Sequence, residues 1–234
     1  MTIKVLSAGA AKGLVGDLQA QFTAATGQQI EGTFSAVGAI REKFLAGEAC
    51  DVLVLTAAQL AELAGQGLVV AETCAPIGLV RTGLGVPAGK PRPDVSTQAA
   101  LAAAIRASRG IYMPDPERAT AGIHFARVLQ QLGVYEAAKP YLRPFPNGAT
   151  AMRHMTEATE ENAIGCTQIT EIKYTPGLQL LGPLPEGCDL STVYSAAVSA
   201  KAADPAAARR LAVLLTGAES RSLRSDSGFE LQPD

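Results

Sequence analysis

The chain has 234 residues, of which 47% are hydrophobic and 18% are charged, and its net charge is −2. This composition is typical of a globular protein with a sizeable core. The near balance of 20 basic and 22 acidic residues excludes the strongly basic surface that non-specific nucleic-acid binding needs, so we expect no nucleic-acid partner. No stretch approaches about 18 consecutive apolar residues, and the sequence therefore predicts no membrane-spanning helix.

The amino terminus runs directly into a strand-like segment, "TIKVL", at residues 2–6. It lacks the basic segment followed by an apolar segment that marks a secretory signal. As written, the sequence favours a cytoplasmic location. A chain from which a signal peptide has been removed would look the same and would be periplasmic, so both locations stay open.

Cofactor and metal chemistry finds no support in the motifs. The four cysteines are far apart and form no C-x-x-C pair, which favours reduced, structural thiols at Cys50, Cys74, Cys166 and Cys188. Two histidines are too few to favour a zinc site. A P-loop, a G-x-G-x-x-G after a strand and a G-x-S-x-G elbow are all missing, so we predict no cofactor and no nucleophilic serine.

Strand-like and helix-like patterns alternate over the first third of the chain. Leu14, Leu18 and Phe22 recur at helical spacing, and Gly27 is placed as a carboxyl-terminal cap. The continuous apolar run "DVLVL" is typical of a parallel strand buried on both faces. These patterns predict strands over 3–6, 29–34 and 51–55, and helices over 12–26, 39–46 and 57–64.

Two Pro/Gly-rich segments interrupt the rest of the chain. The first, "VRTGLGVPAGKPRP" at 80–93, is interpreted as a strand, a hinge or a loop, and the second is "PGLQLLGPLPEG" at 176–187. The patterns between and after them predict strands over 111–113, 163–167 and 193–198, and helices over 98–106, 121–132, 150–158, 205–215 and 218–223.

Two such crossings predict an α/β protein with two lobes. Lobe I would hold residues 1–81 and 191–234, and lobe II residues 82–190. In α/β architectures the ligand binds at the carboxyl ends of parallel strands. We therefore expect a ligand cleft between the lobes.

Four segments resemble a known family: "VLSAGAAKGL", "TGQQIEGTFSAVGAIREKFLAGEACDVLVLT", "DPERATAGIHFARVLQQLG" and "LPEGCDLSTVYSAAVSAKAADPAAARRLAVLLTG". Together they are similar to the bacterial molybdate-binding proteins of transport systems. The resemblance covers nearly the whole chain. It implies the two-lobed fold of type II periplasmic binding proteins, an anionic ligand and, if the protein is exported, a membrane permease as partner.

The sequence departs from the family at its ligand hydroxyls. The family commonly carries Ser where this chain has Ala10, Ser-Ser-Gly where it has Ala36-Val37-Gly38 with Ser35 one step early, and Tyr where it has Gln168. Each lost hydrogen bond is worth about 1 kcal/mol or more. The backbone cradle is retained, whereas most of the selectivity for molybdate is expected to be lost.

Cationic and polar side chains stand beside the same loops. Arginine grips a planar carboxylate with two parallel bonds, so Arg41 and Arg118 favour an organic acid as the ligand. The predicted ligand-binding residues are Ser7, Gly9, Ala10, Lys12, Ser35, Val37, Gly38, Arg41, Arg118, Thr120, Ala121, Asn147, Gly148 and Gln168.

Structural interpretations compete with several of these assignments. Gly9 and Gly38 also suit turn geometry alone, and Arg41 also suits a solvated helix face. Thr120 is a good amino-terminal cap for the helix that begins near residue 121, and Asn147 is a good Asx-type cap.

Three functions stay open at this stage. The preferred one is reversible binding of a small carboxylate. The second is isomerisation of an unsaturated polycarboxylate, because the superfamily includes members that resemble aconitate isomerase. That chemistry needs a base beside the substrate, for which His124 is the candidate, with a half-buried structural histidine as the alternative. The third is genuine binding of molybdate or tungstate.

Overall fold

A computed structural model describes residues 2–231 of the chain. The chain divides into two compact units. Unit 1 comprises the described part of Met1–Val80 and Thr192–Asp234, and unit 2 comprises Arg81–Ser191. Both units combine strands and helices, so the predicted α/β class is confirmed.

The regular elements are numbered in chain order. The strands are β1 Thr2–Ala8, β2 Gln29–Ser35, β3 Val52–Thr56, β4 Ala75–Pro87, β5 Ile111–Pro114, β6 Leu142–Phe145, β7 Ile164–Gln168, β8 Leu178–Pro183 and β9 Ser191–Val198. The helices are α1 Lys12–Asp17, α2 Gln19–Thr26, α3 Val37–Leu45, α4 Ala57–Gly65, α5 Gln98–Ala107, α6 Thr120–Gln131, α7 Tyr135–Ala138, α8 Gly148–Met155, α9 Ile169–Tyr174, α10 Pro205–Thr216 and α11 Arg221–Ser227. Short 3-10 turns lie at Gly9–Ala11, Ala71–Thr73, Lys139–Tyr141 and Ala218–Ser220.

The sheet of unit 1 has the strand order β2-β1-β3-β9. β1 is parallel to both β2 and β3, and β9 is antiparallel to β3. Residues 52–55 of β3 are completely buried, which explains why the run is apolar without alternation. Because β1, β2 and β3 run in one direction, the loops after Ala8, Ser35 and Thr56 leave the sheet at one edge.

Within unit 1, two buried charged side chains hold the carboxyl-terminal part of the chain against the amino-terminal part. The Asp51 carboxylate accepts the backbone N–H groups of Lys4, at 2.8 Å, and of Ala203, at 2.6 Å. The Arg224 guanidinium donates to the carbonyls of Ile77 and Gly217, each at 2.7 Å. Burial, together with the charge of Arg221, lowers the pKa of Arg224. These bonds satisfy polar groups that would otherwise be costly to bury.

The sheet of unit 2 contains β4, β5, β6, β7 and β8. β5 is parallel to β6 and β7, whereas β4 is antiparallel to β7 and β8. The carboxyl ends of β5, β6 and β7 therefore lie at one edge. Thr82 of β4 is paired with Gln168 of β7, so it lies at that edge as well. We call this the carboxyl edge of unit 2.

Several predicted elements need correction. The helix predicted over 12–26 is broken at Leu18, where α1 ends and α2 begins. The segment 80–93 supplies the second half of β4, and the punctuated segment 176–187 contains β8. The helix predicted over 218–223 is a 3-10 turn followed by α11.

One strand escaped prediction because of a proline. β6 contains Pro144, and a proline cannot donate to a strand ladder, which argues against a central strand. In the structure β6 pairs only with β5 among the described strands. It is an edge strand, where a proline is tolerated.

Candidate functional site

The first predicted loop leaves β1 after Ala8 and forms a 3-10 turn before α1 begins at Lys12. Ser7 is completely buried, and its hydroxyl donates to the carbonyl of Ala8 at 2.9 Å. The turn residues Gly9 and Ala10 are buried too. The only hydroxyl of this loop donates its hydrogen bond to the backbone. The loop therefore offers a ligand backbone N–H groups rather than side-chain donors.

The second predicted loop lies beside the first, since Ala8 and Ser35 are register partners. Ser35 ends β2, Ala36 is the residue before α3, and Val37 is its first residue. In the part of the chain that the structure describes, no side chain caps α3. Both predicted loops of unit 1 are thus brought to the same edge of the sheet.

Arg41 is engaged on the surface of unit 1. Its Nη2 lies 2.6 Å from Oε1 of Glu62 on α4, and the two side chains are 31% and 52% exposed. An ion pair at this exposure is weak, yet it competes with any ligand for the guanidinium. The ligand role of Arg41 stays a prediction.

The third predicted loop connects β5 to α6. Asp115 accepts the backbone N–H groups of Glu117, at 2.7 Å, and Arg118, at 3.1 Å, which folds the loop into an Asx turn. Ala119 precedes the helix, and Thr120 is its first residue. The prediction that Thr120 caps α6 is therefore wrong, and α6 begins with no side-chain cap.

His124 is tied to another segment of unit 2. Its Nε2 lies 2.8 Å from the carbonyl oxygen of Cys188. A carbonyl only accepts, so Nε2 carries the proton and donates. Gln98 and Gln131 donate to the neighbouring carbonyls of Glu186 and Gly187. The arrangement fits the structural interpretation of His124, and leaves Nδ1 as the only nitrogen that can accept a proton.

The fourth predicted loop precedes α8. The Asn147 side chain accepts the backbone N–H of Thr150 at 2.9 Å, which confirms its role as an Asx-type cap. The N–H of Ala149 donates to Oε1 of Glu171 at 3.2 Å. Glu171 is a buried carboxylate, 6% exposed, that sequence reasoning missed.

Gln168 ends β7 at the carboxyl edge of unit 2 and is 3% exposed. Opposite it lies Thr82, which is 1% exposed. The Thr82 hydroxyl has no hydrogen-bond partner among the described residues. Sequence reasoning treated Thr82 only as part of a punctuated segment, because nothing local marks it as the neighbour of Gln168.

Helix caps distinguish two of the predicted loops, those before α3 and α6, from the starts of the other long helices. Among the described residues, six helices of eight residues or more are preceded by a residue whose backbone is not helical. α4, α5, α8 and α10 are capped by the side chains of Thr56, Thr97, Asn147 and Asp204. The two without a side-chain cap are α3 and α6, where alanine precedes the helix. An uncapped amino terminus leaves N–H donors and a partial positive charge for an anion.

Three of the four cysteines are buried, and Cys74 is half-buried. All four thiols are free in the structure. Complete burial raises the pKa of Cys166 well above its usual range, so this thiol stays protonated and is a poor nucleophile.

Within residues 2–231, no group of three or more His, Cys, Asp or Glu side chains is arranged to hold a metal ion. No helix in that range is long and apolar enough to cross a membrane.

Comparison with known proteins decides the family. A model of the family described as bacterial extracellular solute-binding protein matches residues 3–230. The chain belongs to this family of bacterial extracellular solute-binding proteins. The match spans both units, so neither unit is an addition from an unrelated family.

Three individual proteins are similar to this chain in sequence or in fold. An aconitate isomerase from Pseudomonas sp is 27% identical over 99% of this chain and 88% of its own length. The periplasmic molybdate-binding protein of Azotobacter vinelandii is 17% identical with a TM-score of 0.80, and covers 99% of this chain and 100% of its own. PEB3 of Campylobacter jejuni with bound L-phospholactate is 13% identical with a TM-score of 0.70, covering 98% and 100%. The predicted resemblance to molybdate-binding periplasmic proteins is confirmed.

Proposed function

We propose that this solute-binding protein binds a small organic anion, a carboxylate, at loops that leave the carboxyl ends of parallel strands. The observation that carries the proposal is that, within residues 2–231, no side chain caps α3 or α6. Each of these helices leaves its first N–H groups without a side-chain partner, in one of the loops predicted to bind the ligand. Leaving out a cap costs a helix about 0.5–2 kcal/mol. An anionic ligand would recover that free energy on binding.

The donor types favour a carboxylate over a compact metal oxyanion. The first loop of unit 1 has no hydroxyl with a free proton, since Ser7 donates to Ala8. Alanine and valine stand at Ala10, Ala36 and Val37, where they offer the ligand only backbone. The proposed cationic contribution comes from Lys12 and Arg118, with Gln168 as a neutral donor. A relative of the same fold that holds L-phospholactate, itself an organic acid, supports the proposal.

The proposed setting follows from the family. Its members are described as bacterial extracellular proteins. One solved structure of similar fold is the substrate-binding protein of an ABC transporter from Agrobacterium tumefaciens. We propose a periplasmic location and a membrane permease as the partner. Nothing in the comparisons supports the cytoplasmic alternative.

A ligand panel tests the proposal. Thermal unfolding is measured with molybdate, tungstate, sulfate, citrate, cis- and trans-aconitate, succinate and malate, one at a time. A ligand present at a hundred times its Kd stabilises the native state by about 2.7 kcal/mol, which is a shift of several degrees. We expect the shift from one or more carboxylates. A shift from molybdate or tungstate with none from any carboxylate would replace the proposal by oxyanion binding.

Arg118 is predicted to contribute charge to the site. Replacing it, Arg118→Ala, should weaken binding of the carboxylate found in the panel at least tenfold by calorimetric titration, because a bidentate charged pair is lost. Arg106→Ala, at the end of α5, removes the same charge from a helix outside the predicted site and is the matched control. An unchanged Kd for Arg118→Ala would remove this residue from the site.

A second candidate function is isomerisation of an unsaturated tricarboxylate. It is favoured by the likeness to aconitate isomerase over almost the whole chain. Such an enzyme moves a proton at carbon, so incubation with cis-aconitate in deuterated buffer should label the compound and interconvert its isomers, which proton NMR detects. His124→Gln should abolish that activity if Nδ1 of His124 is the base. Binding of aconitate with neither labelling nor interconversion identifies a carrier.

A further inference from the structure

A buried pair of side chains joins three elements at the carboxyl edge of unit 2. The Thr167 hydroxyl donates to Oε2 of Glu171 at 2.5 Å, and the backbone N–H of Ala149 donates to Oε1 at 3.2 Å. Thr167 is completely buried. Each carboxylate oxygen thus has a donor, and these donors come from β7 and from the first turn of α8, while the carboxylate belongs to α9.

The turn before α8 packs directly on this pair. A Cβ added at Gly148 would collide with the hydroxyl of Thr167 and with Oε2 of Glu171. Gly148 has no positive φ, so its freedom from a side chain is needed for close approach and not for backbone conformation. The position of the turn is therefore set by contact with the Thr167–Glu171 pair.

The same contacts determine which donors of α8 remain. In its first turn, the N–H of Thr150 is taken by Asn147 and the N–H of Ala149 by Glu171. The structure records no acceptor for the N–H of Gly148 within residues 2–231. Of the first-turn donors, Gly148 alone is left for a ligand. Gln168, the second predicted contact here, follows Thr167 immediately in the chain.

We propose that Glu171 is a positioning residue for the ligand loops of unit 2. Its carboxylate holds the Gly148 turn against Thr167 and so sets the spacing between Gly148 and Gln168. The inference rests on the proposed function to the extent that these two residues contact the ligand. A loop held in place before binding does not lose that conformational freedom on binding, so the effect on affinity is one of preorganisation.

Glu171→Ala tests the proposal, because it removes the carboxylate and leaves its donors in place. Added formate, a carboxylate of the size removed, should then fill the vacant position. We expect citrate, or whichever acid the panel identifies, to bind at least tenfold more weakly, and formate to restore most of that affinity. Glu171→Gln keeps an acceptor for Ala149 and should stay within about threefold of the unsubstituted protein. Asn147→Ala, which removes a cap on the same helix, is the control: formate should not rescue it.

Amide NMR separates this inference from the proposed function. Without any ligand, Glu171→Ala should shift the Gly148 and Gln168 signals and speed their hydrogen exchange, and formate should reverse both changes saturably. Unmoved signals, or changes that formate leaves in place, would overturn the positioning role. If Glu171→Ala does not fold, Thr167→Val removes the donor to Oε2 of Glu171 and should shift the same two signals, and unmoved signals in that variant would overturn the positioning role. A protein that binds no organic acid yet shows the formate effect would refute the proposed function alone.

Discussion

An aspartate at position 119 is expected to stabilise the protein and to abolish its anion binding. Ala119 precedes α6, which has no side-chain cap. A carboxylate there would accept N–H groups of the first turn, and such a cap is worth about 0.5–2 kcal/mol. In a chain of this size that raises the melting temperature by about 2–4 °C per kcal/mol. The same carboxylate occupies the donors proposed for the ligand and repels it, so Kd for the panel acid should rise at least a hundredfold.

Matched variants separate capping from charge. Ala119→Asn caps as well as aspartate does but carries no charge, so it should stabilise equally and weaken binding much less. Ala36→Asp places the same group before α3 of unit 1 and should also stabilise while abolishing binding. Melting curves and calorimetric titration measure both effects. An Ala119→Asp protein that binds the acid with unchanged affinity would exclude α6 from the site.

Adding a methyl group at Gly122 should strongly destabilise unit 2. This glycine lies in the first turn of α6 and packs against the end of β5, where a Cβ would collide with the carbonyl oxygens of Pro114 and Asp115. Backbone cannot move aside as a flexible side chain does, so α6 must shift away from β5. We expect Gly122→Ala to lower the free energy of unfolding by about 2–4 kcal/mol, as severe overpacking of a protein interior does.

Gly65→Ala supplies the control for that substitution. Gly65 is also helical, at the end of α4, but a Cβ there meets nothing within 4 Å. Alanine favours the helix over glycine by up to about 1 kcal/mol, so this variant should be neutral or slightly more stable. Urea unfolding measures the free energy of unfolding of both variants, and the two values can be compared directly if the m-values are equal. A Gly122→Ala protein as stable as Gly65→Ala would show that α6 adjusts freely, and that its distance from β5 is not fixed by contact.

Much of the architecture was accessible from local patterns. The unbroken apolar run at 51–55 predicted a strand buried on both faces, and β3 is such a strand. Gly27 was predicted as a carboxyl-terminal cap, and it lies in the left-handed region with φ of 70°. These successes share a cause, since periodicity and caps depend on residues within a few positions of one another. The break at Leu18 was not predicted, because Leu18 continues the helical spacing of Leu14 and Phe22 across it.

The candidate site was accessible only in part. The loops were found from the strand–helix alternation and from the family resemblance, and Ala36, which precedes α3, was interpreted as a lost hydroxyl. Only comparison with the capped helices showed that Ala36 and Ala119 leave α3 and α6 without a side-chain cap. Glu171 was not found at all, because its partner Ala149 is 22 positions away in the chain. A buried glutamate has no signature in one sequence, since the same residue type mostly lies exposed.

Side-chain pairing shows the same division. The sequence placed His124 near the start of α6 and Arg41 near the start of α3, and it named both as candidates for the site. Its periodicity could not assign their partners, since Cys188 lies 64 positions from His124 and Glu62 lies 21 from Arg41. Local interactions along the chain decide where helices and strands form and how they end. Contacts between distant segments depend on how those elements pack, and in this protein packing alone decided which polar groups are occupied and which are left for a ligand.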